Sequence, residues 1–210
     1  NRQGKCVYTY DKVFPYWEEF DLKPAVEIGT DITAYDTDFG RIGMAICFDA
    51  NFPEVWKCLA DQGAELVIWV SAYSAGTCLQ AHAINNNYYI VSSTLVGDCI
   101  VCDITGKEIM YEKNNQINIS KVTIDLDRGI YHENFNVEKR DKLLKEYPGV
   151  IKQELHMERE QWFVLSAQKV GVSARELAKS FGMEELRDYK NRSRFEIDRL
   201  RGWKLADKTF

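Results

Sequence analysis

Among the side chains of this sequence able to form a covalent intermediate, Cys47 stands where a nucleophile is most easily activated. It closes the short apolar run 42–46, bounded by Gly40 and Gly43 on one side and Asp49 on the other, which suits a strand covered on both faces. Pro53 and Glu54 then open a helix. A thiol at such a turn is easier to ionise, and catalytic groups of open α/β sheets gather at the carboxyl ends of strands. The competing reading is a buried cysteine acting as a small hydrophobe, the commoner fate of a free thiol. Cys58, Cys78, Cys99 and Cys102 lack an equivalent setting. Cys99 and Cys102 form a C-x-x-C, but zinc would need a second pair at suitable spacing and a redox dithiol a helix N-terminus. His82 has no second ligand at metal-binding spacing and reads as structural or surface. The sequence therefore asks for no metal and no cofactor.

The elements that must position Cys47 follow from the surrounding pattern. Residues 39–69 read as buried strand, sharp turn, helix and second strand, the helix burying Val55, Leu59 and Ala60 and stopping at Gly63. Residues 66–70 return as a parallel strand. Upstream, residues 5–10 are β-prone, residues 16–31 form an aromatic and acidic loop carrying Glu18 and Glu19, and residues 34–39 approach the central strand as in a hairpin. Downstream, a helix is predicted over 77–87 and strands over 88–94, 97–103, 108–111 and 120–126. The alternation predicts an α/β protein with a mixed sheet and outer helices.

The segments GRIGMAICFDANFPE and GAELVIWVSA closely resemble the nucleophile region of the nitrilase, or carbon-nitrogen hydrolase, superfamily. The resemblance covers residues 4–150 and implies that Cys47 attacks an amide or nitrile carbon. Tyr10-Asp11-Lys12 is similar to the family's "Y-x-K" strand end, which implies that Lys12 is the catalytic lysine. An ammonium there would favour the thiolate and stabilise the oxygen of a tetrahedral intermediate. The family's loop glutamate falls, by counting, on Glu18; the Phe48 N–H is the implied oxyanion donor and Tyr73 the implied wall of the substrate pocket. Departures are Phe14 where a histidine is frequent, Ala25 in place of a turn glycine, and Trp69-Val70 where a proline usually precedes the serine. The implied fold is an αββα sandwich lacking its N-terminal part, followed by a C-terminal helical extension. The family's general-base glutamate, on an earlier strand-to-helix turn, has no counterpart in the sequence.

The net charge of -5 argues against a whole-chain nucleic-acid binder. Charge is uneven, with 13 Lys+Arg against 10 Asp+Glu in residues 151–210 and 14 against 22 before them. That shift follows Pro148-Gly149, so the domains are placed at 1–150, a partial hydrolase domain, and 151–210, a helical extension. Residues 152–169 read as an amphipathic helix burying Leu155, Trp162, Phe163 and Leu165; Ser173 to Glu176 is a capping box opening a second, and residues 184–201 a third. The spacing also resembles a helix-turn-helix, which leaves a DNA reader as the alternative to helices packing on the body or a partner. No apolar run reaches membrane-spanning length, the first residues lack a signal-peptide layout, and the cysteines suit a reducing compartment, so a cytoplasmic protein is expected. The sequons at Asn118 and Asn191 carry no meaning there. The functional expectation is a hydrolase cleaving a non-peptide C–N bond in a small amide, nitrile or carbamoyl substrate through a cysteine thioester, assembled as a homo-oligomer as its relatives are. The alternative is a non-catalytic hydrolase-fold subunit acting as an interaction module.

Overall fold

The computed structural model describes residues 1–113 and 119–202; the Asn118 sequon lies outside them. The described chain forms two compact units, the first ending at Ile124 and the second beginning at Asp125.

The first unit is built on a six-stranded sheet in the order β1-β2-β3-β4-β5-β6. Its strands are β1 (Tyr35–Thr37), β2 (Gly40–Ile46), β3 (Leu66–Ser71), β4 (Tyr89–Thr94), β5 (Asp98–Cys102) and β6 (Glu108–Lys113). β2, β3 and β4 are parallel, with Ile46 opposite Val70 and Ser71 opposite Thr94, while β1, β5 and β6 join antiparallel. The parallel pairs require crossovers, supplied by α1 (Pro53–Asp61) and α2 (Gly76–Asn86). α1 has Pro53 in its first turn and ends in a Schellman motif: Gly63, at φ +83°, donates to Ala60 O and Ala64 donates to Leu59 O. It buries Val55, Trp56, Leu59 and Ala60 against Ala45, Val67 and Trp69. A Cβ on Gly43 would stand 2.8 Å from both Leu59 methyls, so only glycine lets α1 approach β2 this closely. By strand alternation Ile42, Met44, Ile46, Ile68 and Val70 occupy the opposite sheet face, half-buried.

The second unit contains β7 (Gly129–His132), α3 (Val137–Glu146), β8 (Ile151–Met157), β9 (Trp162–Ala167), α4 (Ala174–Ser180) and α5 (Leu186–Leu200). Its sheet runs β7-β9-β8, all antiparallel, over a core of Tyr131, Leu143, Ile151, Phe163, Leu165, Ala174, Ala178 and Met183. The helix predicted over 152–169 is therefore corrected to the hairpin β8-β9. Phe163, Val164 and Leu165 are consecutive and all fully buried, which a two-sided strand allows and a surface helix does not. Leu155, placed on the apolar stripe of that helix, is exposed. The other tail helices form: Ser173 Oγ accepts from Glu176 N at the start of α4, and α5 follows the turn at Gly182, φ +73°.

Two predicted strands do not form. Residues 5–10 and 120–126 are β-prone, and 121–126 even alternate in exposure, but no strand among the described residues pairs with either. β propensity without a hydrogen-bonding neighbour makes no ladder.

Candidate active site

Cys47 follows directly on β2 and begins a 3-10 turn, Cys47–Asn51, that leads into α1. It adopts φ +49°, a left-handed conformation that non-glycine residues occupy only where the surroundings hold them. Its carbonyl accepts from Trp69 Nε1 at 3.1 Å and Tyr73 Oη at 3.4 Å, and the residue is half-buried. Tyr73 also accepts from Asn51 Nδ2 at 3.4 Å, and burial pushes its phenol up from the ordinary value. Phe48, the second residue of the turn, sits edge-on to Phe52 and Tyr16.

Asp49 ties this turn to the segment containing Lys12. Its fully buried carboxylate accepts from Tyr10 Oη at 2.9 Å, Phe14 N at 2.9 Å and Ile46 N at 2.8 Å. Tyr10 and Phe14 lie two residues on either side of Lys12, so one carboxylate, two residues after Cys47, fastens both flanks of the lysine to the Cys47 turn. The Phe14 ring stacks on Phe52 at 3.7 Å and closes the same junction. Burial pushes the Asp49 carboxyl up, opposed by its hydrogen bonds and by the charge of Lys12. The Tyr10 phenol is pushed up chiefly by burial, then by the Asp49 charge.

Lys12 pairs with Glu19, the neighbour of the expected Glu18. Glu19 Oε2 accepts from Lys12 Nζ and from Tyr16 N, both at 2.5 Å, while Glu18 is exposed. The hydrogen bond from Lys12 holds the Glu19 carboxyl below its usual range, with the Tyr16 amide adding to it. Glu19 and Asp49 share one device: each is the third residue of a 3-10 turn and reaches back to the amide preceding it. Counting from a turn glycine that this chain replaces by Ala25 could not distinguish adjacent glutamates. The cue for both acids was their third place in a short turn.

The structure thus places Cys47, Phe48 and Asp49 in one turn, with Tyr73 bonded to the Cys47 carbonyl; Lys12 is paired with Glu19 and lies between two residues that Asp49 holds, while Glu18 is exposed. Cys99 and Cys102 are free thiols on β5; Cys99 Sγ accepts from Thr94 N, and burial pushes the Cys102 thiol up to about 12. Among the described residues no group of three His, Cys, Asp or Glu could hold a metal ion, and no helix is long and apolar enough to cross a membrane.

Fold and site together define a mixed α/β protein that presents a strained cysteine at the carboxyl end of a parallel strand, in a turn whose Asp49 holds the residues on either side of a carboxylate-paired lysine. The chain belongs to the carbon-nitrogen hydrolase family, whose model matches residues 1–130. It is 30% identical over 119 residues to the deaminated glutathione amidase of Dictyostelium discoideum, covering 49% of this chain and 41% of that one. It is 37% identical over 103 residues to the deaminated glutathione amidase of Synechocystis sp., covering 43% and 37%. Among solved structures, Nit3 of Saccharomyces cerevisiae, a member of the nitrilase superfamily, matches with a TM-score of 0.48 at 25% identity over 54% of this chain and 48% of its own. The chain spans less than half the length of each of these relatives.

Proposed function

We propose that this chain carries the cysteine and lysine of a hydrolase that cleaves a small-molecule amide. The Cys47 thiolate attacks the carbonyl carbon, and the resulting tetrahedral oxyanion is held by the Lys12 ammonium and the Phe48 N–H. The C–N bond breaks, the departing nitrogen takes a proton, and a Cys47 thioester remains. Water then adds to the thioester, releasing a carboxylic acid and restoring the thiol. Tyr73, anchored on the Cys47 carbonyl, lines the acyl site. Glu19 holds the Lys12 ammonium in place through their hydrogen bond, a positioning role. The general base, in this family a glutamate on an earlier strand-to-helix turn, would come from outside these residues. Residues 1–150 would act as the hydrolase part and the remainder as an extension, with assembly at least to a homodimer.

The observation that carries this reading is the Asp49 bridge, which fixes the stretch around Lys12 against the turn of Cys47 across 35 positions of sequence. An amide is preferred over a nitrile because the curated relatives named above are amidases. A DNA-reading tail has less support, since three of its arginines are paired with carboxylates of the same segment: Arg175 with Glu185, Arg192 with Glu184 and Arg199 with Glu196. Sub-stoichiometric iodoacetamide followed by peptide mapping tests the reading. Labelling at Cys47 ahead of Cys58, Cys78, Cys99 and Cys102 is expected. Equal labelling of these five, or another of them first, would make Cys47 an inert core thiol.

A further inference from the structure

Each carbonyl of the nucleophile turn from Cys47 to Ala50 accepts a hydrogen bond from a side chain. Cys47 O takes Trp69 and Tyr73, Phe48 O takes Asn51 Nδ2 at 3.2 Å, and Asp49 O takes Trp56 Nε1 at 3.1 Å. Ala50 O takes His82 Nε2 at 2.8 Å and Cys78 Sγ at 3.2 Å, both from α2 and one helical turn apart. A carbonyl oxygen can only accept, so His82 Nε2 carries a proton and the Cys78 thiol donates its own. The 3.6 Å approach of Cys78 Sγ to His82 Nε2 is then two donors converging on one oxygen. Burial holds the His82 imidazole below its ordinary pKa, which favours the neutral Nε2–H form. Its ring also lies flat on Trp56, 4.3 Å between centroids and 6° from parallel, and Trp56 is the donor to Asp49 O. His82 therefore reaches the turn twice, by its own hydrogen bond and through the indole beneath it.

We propose that His82, assisted by Cys78, is a positioning residue for the reaction of Cys47. Resting on the reading of Cys47 as nucleophile, the proposal assigns α2 a task beyond covering the sheet. It pins the Ala50 end of the turn, so that Cys47 stays in its left-handed conformation with the turn's carbonyls drawn away from the thiol. With the Ala50 tether gone, Cys47 relaxes toward an ordinary backbone conformation, and the thiol leaves the place where Lys12 and the Phe48 amide can stabilise a negative charge.

Two variants separate the hydrogen bond from the stack. His82→Phe keeps a ring on Trp56 but donates nothing; His82→Gln places an amide N–H near the Nε2 position without a ring. The readout is the iodoacetamide rate of Cys47 relative to that of the exposed Cys6 in the same chain, with folding checked by circular dichroism. The ratio should fall about fivefold in His82→Phe, as expected for one lost hydrogen bond, and stay within about twofold of native in His82→Gln. Cys78→Ala, which removes the weaker donor, should lower it by about twofold. An unchanged or raised ratio in folded His82→Phe, or an equal fall in His82→Gln, overturns the proposal. Should His82→Phe not fold, an unchanged ratio in Cys78→Ala overturns it in favour of a purely structural histidine. A native chain that labels Cys47 no faster than Cys58 or Cys99 refutes the nucleophile itself, a separate failure from that of His82.

Discussion

Replacing Asp49 by alanine should unfasten the site and loosen the first unit together. The substitution leaves three donors without their acceptor: the Tyr10 hydroxyl and the amides of Phe14 and Ile46. An unsatisfied buried donor costs about 1–3 kcal/mol. The two amides are only part-buried, so water can reach them, and the buried carboxylate itself carries a desolvation penalty that disappears with it. The low end of the range applies, giving about 3 kcal/mol in all. Hydrogen–deuterium exchange of a β3 peptide reads the opening of this unit separately from the second, and 3 kcal/mol corresponds to about a hundredfold faster exchange. Asp103 provides the control. It is also buried and among the described residues also serves Thr105 N, Thr105 Oγ1 and Lys107 N, none of which belongs to the site. Asp103→Ala should destabilise by a similar amount yet leave the preference of iodoacetamide for Cys47 intact, whereas Asp49→Ala should abolish that preference. Exchange within about threefold of native in Asp49→Ala, or the same labelling loss in both variants, would refute this account of Asp49.

The Lys12–Glu19 pair should give the stability of the first unit a small acid-side pH dependence. Glu19 is held below its ordinary 4.5, so its contribution is complete above pH 4.5 and is lost as pH falls through the lowered folded value. The carboxylate is about one-third exposed, at 35%, so solvent screening keeps the contribution under about 1 kcal/mol; Lys12→Met should flatten this part of an acid titration of β2 exchange. In the second unit, Ser173→Ala removes the acceptor of Glu176 N and should cost about 1 kcal/mol in urea unfolding followed by far-ultraviolet circular dichroism, with Cys47 labelling unaffected.

What could be read from the sequence was whatever local pattern determines. The glycine-bounded run before Cys47, the proline opening α1 and the glycine ending it made the strand-turn-helix-strand around the cysteine visible, and the family motif singled out Lys12. Glu19 escaped because the two neighbouring glutamates differ only in which one a short turn directs inward. His82 escaped because its partner is a backbone carbonyl, which leaves no mark in a side-chain pattern. Leu155, Trp162, Phe163 and Leu165 happened to fall at helical spacing, yet three consecutive buried residues in β9 required a strand. The β-prone stretches 5–10 and 120–126 show the converse, since a strand needs a pairing edge that its own residues cannot supply.

The central claim is that Cys47 forms a covalent acyl intermediate assisted by Lys12. Brief exposure to p-nitrophenyl acetate tests it: thiolate attack on the ester carbonyl expels p-nitrophenolate and leaves an acetyl thioester that intact mass and peptide mapping can place. A single acetyl group is expected on Cys47, absent in Cys47→Ala and formed at least about tenfold more slowly in Lys12→Met. An acetyl group that persists on another residue in Cys47→Ala, or a Lys12→Met chain acylated at the native rate, would contradict it.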